Sequence, residues 1–377
     1  MWRTPATSLA EQVRRRITIR LIPFLFFLYI LAYLDRVNAS VALLQMNASP
    51  AEGGLGFTSE IIGFGTALFF WAYWILEIPS TITVARRGAR WVFVRVLVLW
   101  GFCATLLGSI GSPFAAQLLG WIPGVGHSAE RQFYVLQFLL GFFEGGFFPS
   151  VIVYLSYWFR TEDRAKAIAG FMAAIPLSGV IGTPISGLLL GVHWLGLPGW
   201  RWVFILEGTA PVLAAGLTIF YLPNRPAEAA WLPPEERAWL LAELEREHEH
   251  KVVHRHFAWR HKIGAVLLLT SVYFCLNVTS YGLGMFMPKM IKTQTSSNEL
   301  VSWVLTTTGM SRDLLASLLT GVASVLAFLA MQINGRHSDR TGERPWHAAV
   351  PLGLWGLALA LAAALHFAPF WSAVVMV

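Results

Sequence analysis

The chain has 377 residues, of which 56% are hydrophobic and 13% charged, and its formal net charge is +7. A soluble domain carries about 25% charged residues, so composition excludes a soluble enzyme and a nucleic-acid-binding domain. The basic residues form no single patch but lie in short loops, which is the membrane-protein pattern. Cys103 and Cys275 both fall in apolar segments, and neither a disulfide nor a metal site is expected from them.

A membrane-spanning helix needs about 20 mostly apolar residues. Nine segments qualify: 17–41, 58–82, 92–112, 132–158, 165–190, 201–222, 263–288, 314–333 and 347–368. Another apolar run begins before the last residue, Val377. Arg14, Arg15 and Arg16 precede the first segment as they would in a secretion signal. That segment contains Asp35 and Arg36, however, and equally apolar segments follow it, so it reads as a retained helix. With a cytoplasmic N-terminus, 22 of the 28 Lys and Arg residues lie inside, five lie outside and Arg36 lies within a span. That bias predicts this orientation.

The first span reads Tyr33-Leu34-Asp35-Arg36-Val37-Asn38. An ionisable residue in a membrane helix is costly and is by default a functional-site candidate. Arg36 would hold an anion; the structural alternative is that Asp35 and Arg36 only pair and lock two helices. The second span carries Glu77 before Pro79. The fourth contains Gln137, Gly141, Glu144, Gly145, Gly146 and Pro149. Glu144 stands 13 residues from Arg131 and 14 from Trp158, near the middle of the span. Asp35, 15 residues past Arg20, reaches a similar depth. Two acids in different surroundings near one arginine suit proton-coupled anion movement.

In the fifth span Gly170, Ala174, Ser178, Gly182 and Ser186 recur at every fourth residue, and Pro176 and Pro184 interrupt it. The stripe reads as a close-packing, rocking interface rather than a ligand site. Glu207, before Gly208 and Pro211 in the sixth span, reads as a cap on broken backbone at least as readily as a transport residue. Tyr33, Tyr73, Asn277 and Tyr281 are candidate cavity-lining groups.

Residues 223–262 form a polar insert with helical spacing, read as a solvated cytoplasmic helix between a first unit, 1–222, and a second, 263–377. The pair His250 and His254 has metal-ligand spacing, but a linker helix is the preferred reading. Arg86-Arg87-Gly88-Ala89-Arg90 after the second span matches Arg340-Thr341-Gly342-Glu343-Arg344 after the eighth at an offset of 254 residues. Such parallel repeats of six-helix halves are a transporter architecture. On that repeat the chain stops about three helices short of a full second half.

At these residues the sequence resembles the major facilitator superfamily, and more narrowly its anion:cation symporter family of sugar-acid, tartrate and phthalate transporters. The residues carrying the likeness are Tyr33 to Asn38, Glu77 to Ser80, Gly141 to Pro149, Ala174 to Gly179, Trp200 to Gly208 and Gly335 to Arg344. The resemblance implies an all-α integral membrane bundle, with a six-helix N-terminal half and an incomplete C-terminal half, working by alternating access. It implies that Arg36 contacts a substrate carboxylate and that Asp35 and Glu144 couple protons. It also implies that Tyr33 and Tyr73 line the site; read from the sequence itself, Asn38, Gln137, Asn277 and Tyr281 are further candidate substrate contacts. Arg87, Gly88, Arg90, Asp339, Arg340, Gly342 and Arg344 would form the cytoplasmic gating motif. It further implies a monomer in the inner membrane, no cofactor, and a small organic anion, protons and lipid as partners.

Three departures stand out. The family often has an arginine where Gln137 stands and usually an aspartate where Ala85 stands, and it normally has twelve helices. The rival expectations are a shortened, non-transporting membrane protein or binding module, and an exporter of another substrate class. No Ser/His/Asp set or phosphate loop points to an enzyme.

Overall fold

The computed structural model describes residues 9–253, 263–296 and 298–364. The described residues form fourteen α-helices and no strand. They are α1 (Leu9–Met46), α2 (Ser59–Arg87), α3 (Ala89–Leu107), α4 (Pro113–Leu119), α5 (Ala129–Glu144), α6 (Phe147–Ser156) and α7 (Thr161–Met172). Then follow α8 (Ala174–Leu190), α9 (Gly199–Tyr221), α10 (Pro234–Val253), α11 (Ile263–Gln294), α12 (Glu299–Thr308), α13 (Arg312–Thr341) and α14 (Pro345–Ala364). Among the described residues nine spans are long and apolar enough to cross a membrane, with α5–α6 and α7–α8 each counting as one. These are the nine segments that hydropathy marks in the sequence.

The differences lie inside and between the spans. The fourth span is not one helix. It breaks at Gly145 (φ −53°, ψ 129°) and Gly146 (φ 88°, ψ 0°). Gly146 occupies the left-handed region that glycine enters without steric cost. The fifth span breaks at Ala173, three residues before Pro176. A proline in the first turn of α8 loses no helical hydrogen bond, whereas within a continuous helix it would. The short helices α4 and α12 escape a hydropathy reading because neither is long enough to span. Each is started by a capping side chain: Ser112 Oγ accepts from Ala115 N at 3.2 Å, and Asn298 Oδ1 accepts from Val301 N at 3.2 Å.

The chain divides into two compact units. One draws on Met1–Ala32, Gly63–Ala174 and Gly208–Asn277, the other on Tyr33–Ile62, Ile175–Glu207 and Val278–Val377. In the first unit Phe93, Phe147, Tyr154 and Trp158 are fully buried. The Phe93 and Tyr154 rings lie 5.7 Å apart, and the Tyr154 hydroxyl donates to Pro223 O at 2.9 Å. The insert helix α10 is docked here rather than solvated. Arg16 pairs with its Glu236 at 3.0 Å, and Thr161 N donates to its Glu247 at 2.9 Å. His254, one half of the histidine pair, lies outside the described residues.

The second unit is pinned by Gln45 near the end of α1. Its Nε2 donates to Leu190 O at 2.9 Å and its Oε1 accepts from Trp200 N at 3.1 Å. One amide thus ties the end of α8 to the start of α9. The buried Trp200 indole donates in turn to Gly53 O at 2.9 Å.

Candidate functional site

In the second unit, Tyr33, Asp35, Arg36 and Asn38 sit within two turns of α1. Asp35 and Asn38 are buried, and Arg36 is half-buried. The Arg36 guanidinium lies over the Tyr33 ring, 4.7 Å from its centroid. This contact favours the cation electrostatically and sets the plane in which the guanidinium lies over the ring.

Asn38 leads to two residues to which the sequence alone gives other roles. Ser186 Oγ on α8 lies 2.8 Å from Gly182 O, 2.8 Å from Glu207 Oε1 and 3.1 Å from Asn38 Oδ1. A hydroxyl has one hydrogen, so it donates to only one of these three oxygens at a time. A proton carried by Glu207 would let the carboxyl donate to Ser186 Oγ and free the serine hydrogen for Asn38 or Gly182. Three elements therefore meet at one hydroxyl: α1 through Asn38, α8 through Ser186 and α9 through Glu207. Asp35 is close enough to act on Glu207 electrostatically, so two acids share this cluster. Glu207 is not the backbone cap that its neighbouring proline suggests, because α9 runs on through Pro211. The stripe on the fifth span is a packing face at Gly182, which closes on Leu34 and Val37, and a polar node one turn later at Ser186.

In the first unit, Glu144 is 1% exposed and is the last residue of α5, at the point where the span breaks. The break is held open by α2. Ser80 Oγ donates to Gly145 O at 3.2 Å, and Arg95 Nη2 reaches Ser80 Oγ at 3.5 Å. A Cβ on Gly141 would collide with Phe69 O, and one on Gly145 with Tyr73 O, so only glycine lets the backbone of α2 approach this closely. Interrupted helices of this kind line sites in membrane transporters, where irregular backbone is tolerated only against protein or a cavity. Gln137 is buried two turns before Glu144, and Tyr73 is half-buried on α2. Asn277 donates to Tyr273 O at 2.7 Å, one turn back on its own helix, so its amide is engaged locally. Tyr281, in the second unit, is half-buried on α11.

The two basic loops are built alike. Gly88 (φ 86°) and Gly342 (φ 69°) both have positive φ, and each donates its N–H to the carbonyl four residues back at 3.0 Å. They differ in the fate of the following arginine. Arg344 pairs with Asp339 at 2.9 Å, both exposed. Ala85 offers no such carboxylate in the first loop. There Arg90 Nε donates to Leu222 O, its backbone N donates to Asn224 Oδ1 at 3.0 Å, and its guanidinium lies 4.0 Å from Glu228. Arg87 and Arg340 are exposed.

Residues 25–377 match the Major Facilitator Superfamily model. The chain belongs to the major facilitator superfamily. It is accordingly a multi-pass membrane protein of a transporter family. It is 38% identical over 362 residues to a protein of Agrobacterium vitis named "Putative tartrate transporter", covering 95% of this chain and 75% of that one. It is 36% identical to a protein of Pseudomonas putida named "Putative metabolite transport protein NicT", covering 92% of this chain and 71% of the relative. The xylose transporter XylE of E. coli, in an inward open conformation, superposes with a TM-score of 0.59 at 17% identity. The match covers 96% of this chain and 80% of XylE, and it establishes the shared fold.

Proposed function

We propose that this protein is a proton-coupled symporter of a small organic carboxylate, working by alternating access in the inner membrane. Its N-terminus is cytoplasmic, a reading supported by the inside bias of Lys and Arg. The six-helix half 1–222 and the second segment 263–377 flank the linker 223–262. Arg36 takes the substrate carboxylate through its planar donor edge. Tyr33 and Asn38 shape that site, with Tyr73, Gln137, Asn277 and Tyr281 as further substrate contacts. Asp35 and Glu144 exchange the coupled proton, and the two basic loops with Asp339 and Arg340 gate the cytoplasmic side. The protein acts as a monomer and needs no cofactor.

The observation that carries this reading is the α1 constellation: one arginine stacked on a tyrosine, beside a buried acid, within an apolar span. The names of the tartrate and metabolite transporters agree with an organic-acid substrate. The test is uptake into proteoliposomes under an inward proton gradient, with sugar acids, tartrate, phthalate and aromatic acids as the panel. Acid-stimulated uptake that disappears in Arg36→Ala supports the proposal. Uptake indifferent to the gradient removes the proton, and uptake unaffected by Arg36→Ala removes the site.

A further inference from the structure

The second unit carries a basic cavity of about 330 Å³ away from the α1 constellation, lined by Asn47, Lys289, Lys292, Thr293, Ser296 and Arg312 together with Leu43 and Leu44. Its walls are the end of α1, the last turns of α11 and the first turn of α13. Lys292 is neutralised, since its Nζ lies 2.6 Å from Asp313 and also donates to Leu44 O at 3.3 Å. Among the described residues, the other two cations are held by neutral groups. Lys289 Nζ donates to Ser59 Oγ at 2.8 Å. With the Asn47 amide turned so that its nitrogen donates to Phe57 O, Lys289 also donates to Asn47 Oδ1 at 2.6 Å. An ammonium has three donors, and those bonds use two. Arg312 Nη1 donates to Ser296 O at 3.0 Å, and Arg312 is exposed. Among the described residues no carboxylate lies within 4 Å of Lys289 or Arg312. Glu60, beside Ser59, accepts from the Thr58 hydroxyl instead.

Helix stability explains part of this arrangement. Lys292 in the last turn of α11 complements the helix dipole, whereas Arg312 in the first turn of α13 opposes it. Membrane topology does not explain the rest. On the orientation proposed above, five basic residues lie outside, where they are disfavoured, and three of those five converge on this one cavity.

We propose that this cavity is an external binding site for a small carboxylate anion, which it captures before the anion reaches the transport site. Lys289 and Arg312 hold the carboxylate through charge-assisted hydrogen bonds. Lys292 stays paired with Asp313 and fixes the wall between α11 and α13. The proposal rests on the anion-transport reading for its purpose, but its binding chemistry can be tested separately.

Thr293 is exposed on the cavity wall and can carry the reporter. Thr293→Cys is labelled with an environment-sensitive fluorophore in a Cys275→Ser background, in the full chain. Tartrate, succinate, sulfate and neutral erythritol are titrated at low and at high salt. The same titration is run with Arg36→Ala and with Lys289→Gln/Arg312→Gln. The expected result is a saturable response to the carboxylates but not to erythritol, weakened by salt. It persists in Arg36→Ala and weakens about tenfold or more in the double variant. Loss of the response in Arg36→Ala alone would show that the reporter reads the transport site, which overturns the proposal. A response unchanged in Lys289→Gln/Arg312→Gln, or none in the parent, overturns it too. An equal response to sulfate would show a general anion site and overturn its carboxylate assignment. A failure of transport with this response intact would remove the transport reading and leave the site standing.

Discussion

Arg36 shows how much a single side chain can reveal. A charge within an apolar run is expensive, so Asp35, Arg36 and Glu144 stand out from the amino-acid sequence alone. Arg36→Lys keeps the charge but loses the planar fork and its stacking on Tyr33. Carboxylate binding, measured by calorimetry, should weaken by at least about tenfold, because a point ammonium cannot reproduce paired in-plane donors. Ser186 and Glu207 are not legible in the same way. A serine in a small-residue stripe has the same signature whether it packs or donates, and only the fold brings Asn38 Oδ1 and Glu207 Oε1 to its hydroxyl. Ser186→Ala removes the one hydrogen that three oxygens share. Thermal melting should show a loss of about 1 kcal/mol, and the pH profile of anion binding should move. An unchanged profile would make Ser186 a packing residue after all.

At the scale of elements, hydropathy finds all nine spans but not their interruptions. The break at Gly145–Gly146 depends on backbone conformation and on the close approach of α2, neither of which alters the apolar count. Proline foretells an interruption in the fifth span, yet the break falls at Ala173, where the helix must end for Pro176 to begin the next one. Gly146→Ala places a side chain at φ 88° and drives its Cβ into Ser80. The left-handed conformation alone costs about 1–2 kcal/mol, so the variant should melt lower in detergent and lose the Ser80 bond that holds the break. The docking of α10 is also hidden in the sequence, because its charged face reads as solvated until its partners are known. The loop beside its dock is fixed by Asp163, which is 8% exposed and pairs with Arg160 at 2.8 Å and Arg14 at 3.4 Å. Burial works against the charge of Arg160, but Asp163 and Glu162 more than offset it, so the guanidinium pKa lies above the ordinary arginine value. Asp163→Asn removes a partner of both arginines. With Arg14 40% exposed, the expected destabilisation is about 1–2 kcal/mol, read as a lower melting temperature.

For the whole molecule, the sequence repeat is the informative feature. The offset of 254 residues that aligns the basic loops also aligns two glycines with positive φ and the same backbone hydrogen bond. The repeat shows equally where the copies diverge: Asp339 binds Arg344, while Ala85 leaves Arg90 to bind Leu222 O and lie near Glu228. A symmetric motif thus holds two differently tethered loops, a difference the family pattern signals at Ala85 without giving the new partners. The central claim for the molecule is that binding an anion at Arg36 draws in a proton. The direct measurement is proton uptake by the purified protein in weakly buffered solution containing a pH indicator, on addition of tartrate. The account predicts a proton taken up with the anion, less of it in Glu144→Gln, and no proton uptake in Arg36→Ala, where tartrate is held only by the external site at Lys289 and Arg312. Tartrate binding without any proton uptake in the parent protein, or undiminished proton uptake in Arg36→Ala, would contradict it.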